Sequence, residues 1–199
     1  MRIVVFMVLA LLATSCDSTP KKPEPAAPLD FKSTVAPYTV KLSSPWTLTT
    51  ADTLNTHADL AATYDDTLYL IVIPQKLPAI PGVDPPDALA LKRASLAVLE
   101  ERLKGFQIAR QGPIKIDDEI GQSVFASGET EGQQIQYVAT YATRGDWGFQ
   151  VVGWGPKDKA SLLTAEVDRV LSSWKFLASK PSELPIPSET EDAPDASTD

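Results

Sequence analysis

The run Ile135-Gln136-Tyr137-Val138-Ala139-Thr140-Tyr141, then Arg144-Gly145-Asp146, then Trp147-Gly148-Phe149-Gln150-Val151-Val152-Gly153-Trp154 decides the fold. Both long runs are rich in β-branched and aromatic residues, and the Gly-Asp pair between them is turn chemistry, so they predict an antiparallel hairpin. Working upstream, Gln122-Ser123-Val124-Phe125-Ala126-Ser127-Gly128 predicts a strand running to a turn at Glu129–Gly132. Before it, Phe106-Gln107-Ile108-Ala109 and Pro113-Ile114-Lys115-Ile116 read as two short strands, with Gly112 between them. Consecutive strands joined by short turns make an antiparallel meander.

The first half supplies a second set of strands. Tyr38-Thr39-Val40-Lys41-Leu42 alternates apolar and polar, as a half-buried strand does. Leu60-Ala61-Ala62-Thr63 and Leu68-Tyr69-Leu70-Ile71-Val72-Ile73 flank Tyr64-Asp65-Asp66-Thr67 in a hairpin pattern. The second of these runs is apolar on both faces, which predicts a central strand covered from both sides. Between the two sets lies a helix of about 20 residues, with Asp84 as its cap, Pro85 and Pro86 in its first turn, and Gly105 as its stop. Leu89, Leu96, Leu99 and Leu103 form its expected buried stripe. A closing helix carries Leu163, Val167, Val170 and Leu171 at i, i+4, i+7 and i+8, then Trp174 and Phe176. These elements define an α/β sandwich of the α+β type, a mostly antiparallel sheet covered by two main helices.

Outside this region the chain changes character. Arg2 and the 11 apolar residues from Ile3 to Ala13 are too short for a spanning helix, which needs about 20 residues, and fit the core of a secretory signal. The end of the stretch, Leu12-Ala13-Thr14-Ser15-Cys16, resembles the lipobox of bacterial lipoproteins, with Ala13 where Leu is usual. The resemblance implies cleavage before Cys16 and acylation of its thiol and new amine. Cys16 is the only Cys, and a free thiol is a liability in an oxidising compartment, which favours acylation over an incidental Cys beside a cleavage site. Asp17 looks like the signal that retains enterobacterial lipoproteins in the inner membrane, facing the periplasm; without that signal the destination is the outer membrane.

From Asp17 to Pro28 there are four prolines and no large apolar side chain, so this tether has nothing to bury. From Lys180 onward four more prolines and six acids predict a solvated, disordered tail, with a docking peptide as the rival reading. The chain therefore divides into a signal (1–15), a lipid-anchored tether (16–36), a domain (37–179) and an acidic tail (180–199). The net charge of −8 becomes −9 once Arg2 is removed; the tail carries −5 of it, leaving the domain at −4. That balance argues against nucleic acid as a partner.

The domain resembles the Mog1/PsbP family, including the DcrB-like bacterial lipoproteins, from about Pro37 to Leu177. The carriers are Tyr38-Thr39-Val40-Lys41-Leu42 leading to Ser44-Pro45-Trp46, the hairpin around Arg144-Gly145-Asp146-Trp147, and the final helix running into Ser172-Ser173-Trp174-Lys175-Phe176. The resemblance implies non-enzymatic accessory roles, such as binding a small GTPase, serving a photosystem or acting in the envelope, and it transfers no functional residue. A cone-shaped NTF2-like domain is the competing fold, although it usually begins with helices.

No catalytic motif and no cofactor site stands out. His57 is the only imidazole, with Asp59 two residues on, so a His-dependent hydrolase would have to use it; a surface position is the plainer reading. Paired carboxylates are a second hydrolase option. Asp65-Asp66 and Asp117-Asp118-Glu119 offer oxygens to a hard cation, yet turn chemistry explains Asp in both places. Gly153-Trp154-Gly155-Pro156 before a helix invites an anion-site reading, but the Trp and Pro suit a strand end. Of four tryptophans, Trp46 and Trp174 are expected in the core, and Trp147 at the hairpin turn is the candidate interface anchor, with packing at the hairpin end as the rival reading. The expectation is a membrane-anchored envelope lipoprotein whose domain is a non-catalytic binding or assembly accessory with an envelope protein partner. The alternatives are a small hydrolase and a small-ligand binder with a pocket between sheet and helix.

Overall fold

The computed structural model describes residues 27–79, 81–82 and 84–178. Cys16 and Asp17, the signal, most of the tether and the acidic tail lie outside the described residues. A seven-stranded antiparallel sheet dominates, in the order β3 (Trp46–Leu48), β4 (Leu60–Tyr64), β5 (Leu68–Lys76), β9 (Trp147–Pro156), β8 (Gln133–Arg144), β7 (Glu119–Thr130), β6 (Lys104–Ile116). A smaller sheet pairs β1 (Leu29–Lys32) and β10 (Lys175–Phe176) with β2 (Tyr38–Leu42). Helix α2 (Ala88–Arg102) lies on one face of the large sheet; α3 (Ala160–Ser173) and the small sheet cover the other. A one-turn helix, α1 (Ala51–Leu54), follows β3. This is the expected sandwich.

The meander is held in register by its turns. Glu131 and Gly132 both have positive φ, 51° and 78°, the type I′ geometry that matches strand twist, and Thr130 pairs directly with Gln133. At the next hairpin Gly145 alone has positive φ, 58°, between the paired Arg144 and Trp147, as a type II′ turn requires. Along β9 the pleat separates two faces. Trp147, Phe149 and Val151 join the core formed with α3 and the small sheet, whereas Val152 packs toward α2. In the α3 core, Tyr38 stacks on Trp174 with ring centroids 4.5 Å apart, and both are fully buried. Trp46 is also buried, and its indole N–H donates to the buried carboxylate of Glu166 at 3.1 Å.

Four expectations need correction. The folded region begins at Leu29, not Pro37: Leu29 and Phe31 pack half-buried on the core while β1 pairs with β2, so part of the supposed tether is a strand. Asp87, not Asp84, caps α2, its carboxylate accepting from the Ala90 amide at 2.7 Å. The prolines hold the preceding residues out of the helical region, so the helix starts after them and runs only to Arg102. Its buried residues are Ala88, Leu91 and Lys92, the last meeting Gln111 and Gln122; of the expected stripe, Leu89, Leu96 and Leu99 are half-buried, and Leu103, just past the helix end, is buried. Finally, Phe106–Ala109 and Pro113–Ile116 are one strand. Gly112 sits in regular register opposite Ser123, and an edge position tolerates Pro113 because its outer side needs no ladder bond.

Candidate functional site

The α2 face of the large sheet is incompletely covered. Helix α2 sits over β7 and β8, anchored by Ala88, Leu91 and a hydrogen bond from the Tyr141 hydroxyl to Ser95 Oγ at 2.9 Å. Beside it, toward β5 and β9, runs a groove of about 600 Å³. Ile71 and Ile73 of β5 and Val152 and Trp154 of β9 form its floor, with Tyr137 of β8. The outward stripe of α2, Ala94, Val98 and Arg102, makes one wall; Leu54 and Asn55, at the end of α1, make the other. Trp154 is held flat by Tyr69 on the neighbouring strand, with centroids 5.4 Å apart and planes at 22°. The run Leu68–Ile73 is thus central, as its composition predicts, but its second face is covered only in part: Ile71 is buried and Ile73 half-buried.

Polar groups around the groove are mostly committed elsewhere. Ser95 serves Tyr141, Asn55 Oδ1 accepts from the His57 amide at 2.8 Å, and Gln150 donates to Gln75 at 3.3 Å. Arg102 is the only charged side chain among the described residues that line it, and it takes part in no ion pair among the described residues. What the described lining offers is a mainly apolar floor, with the Thr130 and Tyr137 hydroxyls beside it and a single cation at one end.

The residues singled out by sequence fall elsewhere. His57 is exposed in the turn after α1, and Asp59 faces away in function: its Oδ2 accepts from the Tyr38 hydroxyl at 2.7 Å. Burial, and then that carboxylate, push the Tyr38 hydroxyl far above the ordinary tyrosine range. No hydrogen bond joins His57 and Asp59 among the described residues, so they do not form a base and its orienter. Asp65 and Asp66 occupy a turn with φ of 47° and 51°. Asp117 holds Lys175 at 2.6 Å and the Phe176 amide at 3.1 Å, while Asp118 and Glu119 share Arg144 at 2.6 and 2.8 Å. These contacts hold the Asp117 and Asp118 carboxyls below their usual range, through Lys175 and Arg144 respectively. The acids therefore tie the β6–β7 turn to β10 and the β8 end. Gly153-Trp154-Gly155-Pro156 is the end of β9 itself, with Gly153 and Gly155 on the α3 face. Trp147 is half-exposed at the hairpin tip, tilted against Phe149 at 6.5 Å, with Lys76 Nζ 4.4 Å from its ring centre.

No family model and no curated protein matches the sequence. Solved structures match the fold. PsbP from the cyanobacterium Synechocystis sp. PCC 6803 is 11% identical over 77% of this chain and 95% of its own, with a TM-score of 0.59. LpqN of Mycobacterium tuberculosis, described as involved in cell envelope biogenesis, is 14% identical over 78% and 87%, with a TM-score of 0.58. The Ran-binding protein Mog1p of Saccharomyces cerevisiae is 9% identical over 76% and 96%, with a TM-score of 0.51. The domain has the Mog1/PsbP-like fold, and the NTF2-like alternative is set aside. No helix among the described residues is long and apolar enough to cross a membrane.

Proposed function

We propose that this chain is a lipid-anchored envelope protein whose domain binds a partner without catalysing a reaction. The observation that carries the binding reading is the groove beside α2, a mainly apolar floor of Ile71, Ile73, Val152 and Trp154 that the helix covers only in part. Anchoring rests on Cys16 at the end of the signal-like stretch, and Asp17 favours the inner membrane, facing the periplasm. The description of LpqN as involved in cell envelope biogenesis is in keeping with an envelope accessory role. Trp147, on the opposite face, is a second contact in this reading. Small-ligand binding is the second reading, favoured by the groove's volume, which lies within the range of about 300–1,000 Å³ typical of ligand sites.

Two measurements test the proposal. The wild-type chain should incorporate labelled acyl chains and Cys16→Ser should not; label retained by Cys16→Ser refutes the anchor. A photo-crosslinking residue at Val98 in the groove wall should capture a molecule in intact cells that His57→Ala still binds. Empty crosslinks at Val98 refute the groove as the binding site.

A further inference from the structure

Resting on the reading of the groove as the binding site, we propose that its occupant is an amphipathic helix of a partner protein, lying beside α2 and placing an acidic residue against Arg102. The strip beside α2 has the width of a helix. Strands lie about 4.8 Å apart, so the strip over β5 and β9 is about 10 Å across, and a helix with its side chains is about 10–12 Å in diameter. Helix α2 already fills the neighbouring strip over β7 and β8, and the vacant strip takes one more helix at the usual interaxial distance of about 8–10 Å.

Length and chemistry agree. The floor from Gln150 to Trp154 spans four strand rises, about 14 Å, which is about two and a half helical turns. A helix docked there presents apolar residues at i, i+3 or i+4, and i+7 to Ile73, Val152 and Trp154. Arg102 stands at the Trp154 end: the adjacent Leu103 lies over Gly128, whose strand partner Ile135 is two residues from Tyr137, the partner of Trp154. An acid at that end of the incoming helix meets Arg102, and no carboxylate stands among the described lining residues to repel it. A polar small molecule needs several convergent hydrogen-bonding groups, and the floor side chains Ile71, Ile73 and Val152 supply none. The chain's own tail does not suit the site, since Pro181, Pro185, Pro187 and Pro194 interrupt any helix.

The test uses the full chain in its own cells, with a photo-crosslinking residue at Val98, which is 45% exposed on the groove wall, and at Val35, 59% exposed in the β1–β2 loop, as the control. The expected result is a Val98-specific adduct whose sequenced peptide reads apolar at i, i+3 or i+4, and i+7, with Asp or Glu one turn on. A synthetic peptide of that segment should then bind the purified full-length protein and shift the Trp154 indole resonance. Val98→Glu should weaken it by about tenfold or more, since it places an acid on the apolar wall and pairs with Arg102 at i+4. Arg102→Glu should weaken it by about two- to fivefold, with recovery when the peptide's acid is changed to Lys. Circular dichroism of both variants checks that the fold is kept. A captured segment without this pattern, a lipid or glycan adduct, or a self-adduct with a Val98→Glu-sensitive dimer each overturns the helix proposal while leaving the groove as a binding site. No adduct at Val98 overturns both.

Discussion

Gly153 is the point at which α3 rests on the sheet, and Gly153→Ala is the sharpest probe of that packing. A Cβ built there lies 2.6 Å from Val167 Cγ2 and 3.1 Å from Leu163 Cδ1. Normal van der Waals separation is about 3.5–4.0 Å, so the helix and sheet must part by about 1 Å at this contact. Val167 cannot yield by rotation: it is β-branched, fully buried and flanked by Leu163, Val170 and Leu171 in the same core. Overpacking of this kind costs about 1–3 kcal/mol, which lowers the melting temperature of a domain this size by roughly 4–8 °C at the middle of that range. Gly148 on the α2 face provides the control. There a Cβ meets Leu91 Cδ1 at 2.8 Å and Leu77 Cδ2 at 3.0 Å, the mobile ends of side chains under a lightly held helix, so Gly148→Ala should cost less than about 1 kcal/mol.

The assay is thermal or urea unfolding of the single variants, Val167→Ala and the double variant. Val167→Ala alone removes two buried methyl groups and should cost about 2 kcal/mol. Because it also removes the clashing Cγ2, the Gly153→Ala/Val167→Ala pair should be more stable than the sum of the two losses by about 1 kcal/mol or more. Additive losses, or a Gly153→Ala protein that melts with the wild type, would refute the seating of α3 on this glycine.

Three further expectations concern other parts of the fold. Trp46→Phe should destabilise by about 1.5–3 kcal/mol in urea unfolding, because it strips a donor from the buried Glu166 carboxylate, which is left with Arg169; adding Glu166→Met should recover part of the loss. The carboxyls of Asp117, Asp118 and Asp146 are held below their usual range by Lys175, Arg144 and Lys76, so their contribution is full above the ordinary carboxylate value and is lost as pH falls below about 4; Lys175→Met should flatten melting temperature against pH in that window. Amide hydrogen exchange should be faster in α2 than in α3, since α2 buries Ala88, Leu91 and Lys92 whereas α3 buries Leu163, Glu166, Val167, Val170 and Leu171; equal protection would contradict the difference in anchoring.

Much of this architecture is legible in the sequence, for local reasons. The β8–β9 hairpin carries its period and its turn residues together, and the stripe Leu163, Val167, Val170 and Leu171 is the face α3 buries. Misreadings occur where tertiary position overrides local signals. Gly112-Pro113 reads as a break, yet on an edge strand neither residue interrupts pairing. Leu29 and Phe31 alternate with Asp30 and Lys32, but the pattern lies in a proline-rich stretch and becomes a strand only beside β2. Two prolines at Pro85 and Pro86 suit a first turn in isolation, and the real cap is one residue past them. The groove was the least legible feature, because the lateral placement of α2 on the sheet is not a property of its own residues. A signal did exist: Ala94 and Val98 are apolar beyond the stripe needed to cover a sheet, and one helix cannot cover both faces of so apolar a strand as Leu68–Ile73.

Strand count alone requires some of the α2 face to stay uncovered, since one helix about 10 Å wide spans about two strands of a seven-stranded sheet. How the chain fills the uncovered strips is then informative. On the β3 and β4 side, Thr47 and Thr63 are paired, and on the β6 and β7 side Gln111 and Gln122 reach toward Lys92 while Ile108 and Ile120 stand exposed nearer the edge. Over β5 and β9 the residues are Ile71, Ile73, Val152 and Trp154, the last braced by Tyr69. Folding places no such demand there, because the same strands already contribute Leu70, Val72, Phe149 and Val151 to the α3 core. An apolar strip one helix wide, next to a helix whose near wall is also apolar, is what an unfilled position in the sandwich would look like, and this is why its occupant is sought in another chain.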